Sequence, residues 1–167
     1  MSISVSSTDP YIKIQNMKMR IVARAVVYDS KSERILLVKN RGQDFWYPPG
    51  GGWEYEKENI AECAVREVFE ETGLKVQIKK LLYVQEFHDA LDSISFEIFW
   101  LAEPITETTL DVAHVDADAD GKVETVKWFS KGESGEVKVF PKRLQNSFWE
   151  NAQNYQQDED SFLGVIE

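Results

Sequence analysis

The chain is poor in the residues that form disulfide scaffolds and zinc sites. Its 167 residues include one cysteine, Cys63, and two histidines, His88 and His114. A single cysteine permits no intrachain disulfide, and isolated histidines without a cysteine cluster do not form a zinc site. Cys63 falls within a predicted helix, where we expect it to act as a small packing residue.

Basic residues and long apolar runs are also scarce. Lys and Arg total 19 against 29 Asp and Glu, which gives a net charge of −10 and a pI near 4.8. This balance argues against duplex DNA or RNA as the main partner, because clustered cations bind those polyanions. The sequence contains neither a secretory signal nor an apolar run of membrane-spanning length, so we expect no membrane partner and a cytoplasmic location.

Length and apolar content fit one globular domain. The hydrophobic fraction is 43%, and neither repeats nor a linker divide the chain. We predict a polar N-terminal arm over residues 1–18, the domain over residues 19–154 and an acidic C-terminal tail over residues 155–167. The oligomeric state stays open, and a homodimer formed through an apolar sheet edge or the N-terminal arm is compatible with the sequence.

Segments rich in β-branched residues predict strands before and after a central helix. The pattern indicates a second helix late in the chain and a loop before it, over residues 130–139. Such an order favours an α/β fold with a mixed sheet over an all-parallel one. The predicted strands cover residues 21–28, 34–39, 74–88, 95–102 and 123–129, and the second helix covers residues 141–154.

The central helix is predicted over Ile60–Thr72. The segment contains neither Pro nor Gly, and small and apolar residues recur at helical spacing along one stripe. Asn59 and Glu62 fit a capping box that opens the helix. Gly73 suits the left-handed residue that closes it.

Three glutamates, Glu67, Glu70 and Glu71, lie at i, i+3 and i+4 and share one helical face. They repel one another by a few tenths of a kcal/mol per exposed pair. A solvated acidic face is the common explanation of such a cluster. The alternative is a site for a hard divalent cation, which removes the repulsion and prefers carboxylate oxygens. Three glycines just upstream, at residues 50–52, let backbone groups approach a ligand closely and favour the phosphate-and-metal interpretation.

This stretch resembles the signature of the Nudix hydrolase family, which includes MutT-like proteins. The signature is a Gly, five residues, Glu, seven residues and then Arg-Glu-aliphatic-x-Glu-Glu-x-Gly-aliphatic. The run from the glycines to the helix is one residue longer than is common in the family, with Lys57 where a Gly is usual. All nine specified positions are filled over 23 residues, by Gly52, Glu58, Arg66, Glu67, Val68, Glu70, Glu71, Gly73 and Leu74.

The resemblance implies a fold and an activity. The fold is an α/β/α sandwich with a central mixed sheet and a loop-helix-loop Nudix motif. The activity is Mg²⁺- or Mn²⁺-dependent hydrolysis of a pyrophosphate bond in a nucleoside diphosphate linked to another moiety. Nucleoside triphosphates, nucleotide sugars, ADP-ribose and dinucleoside polyphosphates are the substrates it implies.

The resemblance also assigns roles to residues. Glu67, Glu70 and Glu71 are expected to hold the metal with a glycine carbonyl, for which Gly51 is the first candidate and Gly50 the second. Glu67 and Glu70 are the expected catalytic residues, and Glu67 is the first candidate for the general base. The structural residues, which shape the loop and helix, are expected to be Glu58, Arg66 and Gly73.

Residues outside the signature supply further candidates. Family members often bring an additional acid from the region before the last strand, and Glu124 and Asp120 are the candidates here, with a surface charge as the alternative. Lys39 and Arg41 are candidates for binding phosphate. Aromatic residues near the glycines suit either base stacking or core packing, and they are Phe45, Trp46, Tyr47, Trp53 and Tyr55.

Two other functions share the same scaffold. A non-catalytic Nudix-like nucleotide-sensing domain is one alternative, but such domains tend to lose the glutamates that are all present here. An isomerase acting on an isoprenoid diphosphate is the other, and the sequence lacks an added Cys and His ligand set for that task.

Overall fold

A computed structural model describes residues 18–90, 93–105 and 121–152. The predicted N-terminal arm, except for Lys18, and the acidic tail lie outside these residues. In chain order the strands are β1 (Lys18–Asp29), β2 (Arg34–Asn40), β3 (Gly50–Gly52), β4 (Val76–Ala90), β5 (Ser93–Pro104) and β6 (Val123–Ser130). The helices are α1 (Ile60–Thr72), α2 (Lys131–Gly135) and α3 (Ser147–Asn151), with a 3₁₀ turn at Lys142–Gln145.

The strands form one mixed sheet in the order β4-β5-β1-β2-β6. β1 and β5 run parallel, and the other neighbouring pairs are antiparallel. β1 is long enough to pair with two strands along one edge: Val27 faces Leu36 of β2, and Ala23 faces Gly51 of β3. The three glycines form a short strand, which the sequence analysis did not predict, and the prediction of a mixed sheet is confirmed.

Helices cover both faces of this sheet, which makes the α/β/α sandwich. Successive side chains of a strand point to opposite faces. Ala23, Ala25 and Val27 of β1 accordingly join the core beneath α1. Val26 and Tyr28 join the second core, beneath α3 and the 3₁₀ turn.

Helix α1 has the predicted bounds and caps. Asn59 Oδ1 accepts hydrogen bonds from the amides of Ala61 and Glu62 at 3.0 and 2.9 Å, and the carboxylate of Glu62 accepts one from the Asn59 amide at 2.8 Å. Gly73 closes the helix in the left-handed conformation, with φ of 70°. The side chains it buries against the sheet are Cys63, Ala64, Val68 and Thr72.

The late part of the chain departs from the prediction. The single helix predicted over residues 141–154 is wrong up to residue 152, because Asn146 is not helical and separates the 3₁₀ turn from α3. Trp149 Nε1 donates to the carbonyl of Leu144 at 2.7 Å and so stabilises the bend. The side chains predicted to face inward, at Leu144, Phe148 and Ala152, are nevertheless buried.

A short helix also replaces part of the predicted loop over residues 130–139. Ser130 and Glu133 form a capping box that begins α2. The sequence pattern predicts a loop here because Gly132 and Gly135 disfavour helix.

Within the described ranges, none of the helices combines the length and the apolar character of a membrane span.

We expect Asn59→Ala to lower the free energy of unfolding by about 1 kcal/mol, because two amides at the start of α1 lose their acceptor. Urea denaturation of both proteins measures the change. Asn59→Asp keeps a capping oxygen and is the matched control, which should lose much less. Equal stability of wild type and Asn59→Ala would contradict the role of the cap.

Candidate active site

The three glycines and one face of α1 border a cavity of about 620 Å³, which we call the acidic cavity. The glutamates predicted to hold metal all line it, and so does Gly51, so the fold brings these candidates together. Its lining consists of Arg20, Arg24, Asn40, Tyr47, Gly50, Gly51, Gly52, Glu54, Arg66, Glu67, Glu70, Glu71 and Lys122.

Strand β3 places the glycine backbone against the glutamates. The amide of Gly50 donates to Glu71 Oε2 at 3.0 Å. A Cβ atom added to Gly51 would lie 2.4 Å from the carboxylate carbon of Glu67, far inside contact distance. A Cβ on Gly50 would instead meet the backbone oxygen of Ala23 at 2.2 Å. Both positions therefore require glycine, Gly50 because of the neighbouring strand and Gly51 because of the site.

Arg66 holds together the carboxylates around it. Its guanidinium donates two hydrogen bonds to Glu58, at 2.9 and 2.7 Å, which tie the loop to the helix. Nη1 also contacts Glu67 Oε1 at 2.8 Å and Glu70 Oε2 at 2.9 Å. These hydrogen bonds lower the pKa of Glu58 and raise that of Arg66. A cationic side chain thus balances the like charges that the sequence places on one face.

The environment of Glu67 differs from that of Glu70. The side chain of Glu67 is 15% exposed and that of Glu70 is 48% exposed. Burial raises the pKa of Glu67, although the contact with Arg66 opposes that shift. A carboxylate with a raised pKa takes a proton more readily at neutral pH, which is the property required of a general base.

The donors of the acidic cavity fit a hard divalent cation in kind. They are carboxylate oxygens and backbone carbonyls, which Mg²⁺ and Mn²⁺ prefer. The neighbouring thiol of Cys63 is buried, and burial raises its pKa to about 12, so it stays protonated and is a poor ligand.

The glutamates are not drawn together around one point. Among the described residues, no group of three or more His, Cys, Asp or Glu side chains is close enough to hold a metal ion. The reason is local, because Glu67 and Glu70 turn towards Arg66 and Glu71 turns towards the Gly50 amide. A bound cation has to exchange with these contacts.

Besides Arg66, three cationic side chains line the cavity with the glutamates, and none of them is among the residues predicted from the sequence: Arg20, Arg24 and Lys122. The first two lie four residues apart on β1 and so share a strand face, a signal that the sequence did contain. The candidates for phosphate binding that the sequence suggested, Lys39 and Arg41, do not line the cavity.

The proposed additional acid lies elsewhere. Glu124 is on β6, is 48% exposed and pairs with Lys39 at 3.3 Å, and it does not line the acidic cavity. Asp120 and His114 fall outside the described residues. His88 is exposed on β4 and contacts Glu86.

A second cavity of about 420 Å³, which we call the aromatic cavity, adjoins the first. Two of the aromatic residues noted near the glycines, Phe45 and Tyr47, line it. Trp46 instead packs on Phe129, and Trp53 packs against the core beneath α1. The lining of the aromatic cavity consists of Arg24, Asn40, Gln43, Phe45, Tyr47, Gln85, Phe87, Glu97, Phe99, Phe140 and Pro141.

Arg24 forms part of the wall of both cavities. It pairs with Glu97 of β5, with Nε 2.9 Å and Nη2 2.8 Å from Oε1. Nη1 donates to the carbonyls of Pro48 and Gly50 at 3.3 and 3.4 Å. Its guanidinium carbon also lies 5.0 Å from the centre of the Tyr47 ring. One side chain therefore connects the glycine strand to the aromatic cavity.

Comparison with protein families and curated proteins agrees with this arrangement. The model of the NUDIX domain matches residues 18–147. Nudix hydrolase 6 of Arabidopsis thaliana is 34% identical over 118 residues, which are 68% of this chain and 40% of that protein. Diphosphoinositol polyphosphate phosphohydrolase 2 of Mus musculus is 36% identical over 75 residues, or 45% of this chain and 41% of that protein. The matched parts are thus about two fifths of these relatives.

Solved structures show the same fold at low identity. A crystal structure of UDP-X diphosphatase has a TM-score of 0.62 and 18% identity, and the match covers 92% of this chain and 70% of that one. The solution structure of the E. coli ORF135 protein has a TM-score of 0.61 and 22% identity, with 87% and 99% covered.

A glycine series tests which backbone positions belong to the site. We expect Gly51→Ala to lower turnover strongly with a small loss of stability, because its Cβ displaces the flexible Glu67 side chain. Gly50→Ala should instead lower the melting temperature, since its Cβ meets backbone. Gly52→Ala is the control with little change, because its Cβ would lie 3.3 Å from the flexible Arg20 side chain. Similar effects of all three substitutions in turnover and thermal-melting assays would contradict this division.

Proposed function

Because the chain belongs to the Nudix family, we propose that it is a divalent-metal-dependent pyrophosphohydrolase. The substrate is a nucleoside diphosphate linked to another moiety. The observation that carries the proposal is the acidic cavity, where the three glutamates predicted to hold metal, the glycine backbone and four cationic side chains line one space. Carboxylate oxygens bind a divalent cation, and cationic side chains bind phosphate oxygens. One cavity therefore contains groups for the metal and groups for the diphosphate.

The glutamates and Gly51 have separate roles in the proposed reaction. Glu67, Glu70, Glu71 and the Gly51 carbonyl would hold Mg²⁺ or Mn²⁺, which would supply charge neutralisation at the diphosphate and activation of the attacking water. Glu67, whose side chain is less exposed than that of Glu70, accepts the proton from that water.

Cations and the arginine network complete the site. Arg20 and Lys122 bind phosphate oxygens opposite the glutamates. Arg66 orients Glu67 and Glu70 by hydrogen bonds, and with Glu58 it keeps the loop attached to the helix.

The aromatic cavity receives the organic group attached to the diphosphate. Among the residues that the structure describes, the only charged side chains lining this cavity are Arg24 and Glu97, which pair with each other and leave no surplus positive charge for a bound ligand. A polyphosphorylated inositol ring needs several cationic partners, because burying unpaired anions is costly. This property favours a neutral aromatic group, such as the base of a nucleotide, over the substrate named for the Mus musculus relative.

Substitution of single glutamates tests the site. We expect Glu70→Gln and Glu71→Gln to fold normally and to lower turnover by about a hundredfold or more, since each loses a charged oxygen ligand. Circular dichroism checks the fold and released phosphate measures turnover. Glu124→Gln, which changes a carboxylate outside the cavity, is the control and should keep its activity. Wild-type turnover in either glutamate variant would rule out the assignment.

The substrate class is found by a direct screen. The purified protein is incubated with nucleoside triphosphates, nucleotide sugars, ADP-ribose and dinucleoside polyphosphates, with Mg²⁺, Mn²⁺ or a chelator. Phosphate released after coupling to a phosphatase reports cleavage. We expect metal-dependent cleavage of one class, whereas nucleotide binding without turnover anywhere would support the nucleotide-sensing alternative.

A further inference from the structure

Two amide side chains in the aromatic cavity have unsatisfied acceptors. Asn40 Oδ1 and Gln43 Oε1 are buried and have no hydrogen-bond partner among the residues that the structure describes. Both residues line the aromatic cavity, and Asn40 also lines the acidic one. Buried acceptors are nearly always paired in native proteins, so two orphans beside one cavity indicate a ligand with N–H donors.

The turn that carries these amides is held by its backbone. The amide of Gln43 donates to the carbonyl of Asn40 at 3.1 Å, and the amide of Arg41 donates to the carbonyl of Lys122 at 3.0 Å. The two side chains are therefore presented from a fixed loop.

The walls of the cavity suit a flat ring. Phe87 is 49% exposed and Phe140 is 39% exposed, although large apolar side chains are usually buried. Both line the aromatic cavity with Phe45 and Tyr47. A base that stacks on these rings would cover apolar surface that otherwise faces water.

We propose that Asn40 and Gln43 select adenine, so that the substrate is an adenosine diphosphate linked to another moiety. The proposal rests on the proposed function, whose aromatic cavity it fills. Adenine has an exocyclic amino group with two hydrogens, one for each orphan acceptor. It is also the common base without a carbonyl group, which matters because the Arg24 guanidinium already donates to Glu97, Pro48 and Gly50. Guanine, hypoxanthine and uracil each bring a carbonyl oxygen that needs a donor.

Nucleoside monophosphates test base selection apart from catalysis, because they contain no pyrophosphate bond. We expect AMP to bind the wild-type protein at least about tenfold more tightly than IMP or GMP in isothermal titration calorimetry. In ¹⁵N-labelled protein, AMP should shift the side-chain amide resonances of Asn40 and Gln43. Equal affinities for AMP and IMP would overturn the proposal. Tighter binding of IMP would also overturn it, because it would mean that the two amides turn their N–H groups, rather than their oxygens, towards the base.

Matched variants assign the selection to the two residues. Asn40→Leu and Gln43→Met remove one acceptor each at similar size and should bring the AMP and IMP affinities closer together. Gln43→Glu keeps acceptor oxygens and should retain a preference for AMP. Gln77→Met changes an exposed glutamine of β4 and should leave both affinities unchanged. A preference that survives in both Asn40→Leu and Gln43→Met would mean that other groups read the base.

Turnover separates this proposal from the function on which it rests. ADP-ribose should be cleaved with a higher kcat/KM than its hypoxanthine counterpart. Cleavage of both with equal kcat/KM would overturn base selection and leave the pyrophosphohydrolase standing. Selective binding of AMP without cleavage of either compound would support base selection and overturn the pyrophosphohydrolase.

Discussion

The site depends on one electrostatic constraint, which is that carboxylates crowded on one helix need a counter-charge. Arg66 supplies it from within the same helix by contacting Glu58, Glu67 and Glu70. Because two of these partners are candidate metal ligands and the third lies in the loop, one guanidinium links loop geometry to ligand geometry. The contacts with Arg66 neutralise Glu67 and Glu70, but they also turn these carboxylates away from a common point.

The second constraint is steric and comes from β1. This strand pairs with β3 and then with β2 along the same edge, so the glycine backbone must lie close to it. Side chains at Gly50 or Gly51 would collide with Ala23 or Glu67. The glycines thus let the sheet and the carboxylate helix approach closely enough to share one cavity. The contact of Arg24 with the glycine strand carries the same architecture into the aromatic cavity.

Local signals were sufficient for α1 and insufficient for the cavity lining. The helix, its capping box and its closing glycine follow from residues within one or two turns of each other. Arg20 and Lys122 are about a hundred residues apart and meet only through the pairing of strands, so no spacing in the sequence joins them. The C-terminal helix prediction failed because side-chain bonds from Trp149 and Asn146 stabilise a bend that periodicity does not reveal.

The shared edge of β1 has a consequence for how far a ligand can reach. Arg24 of β1 lines both cavities, and between β2 and β3 the backbone of residues 47–49 closes the edge through hydrogen bonds to Ala25 and Val38. In the proposed function, a ligand whose ring occupies the aromatic cavity and whose diphosphate occupies the acidic cavity lies across Arg24. The distance between the two cavities would then determine which bond meets the glutamates, and the group beyond that bond would be free to vary.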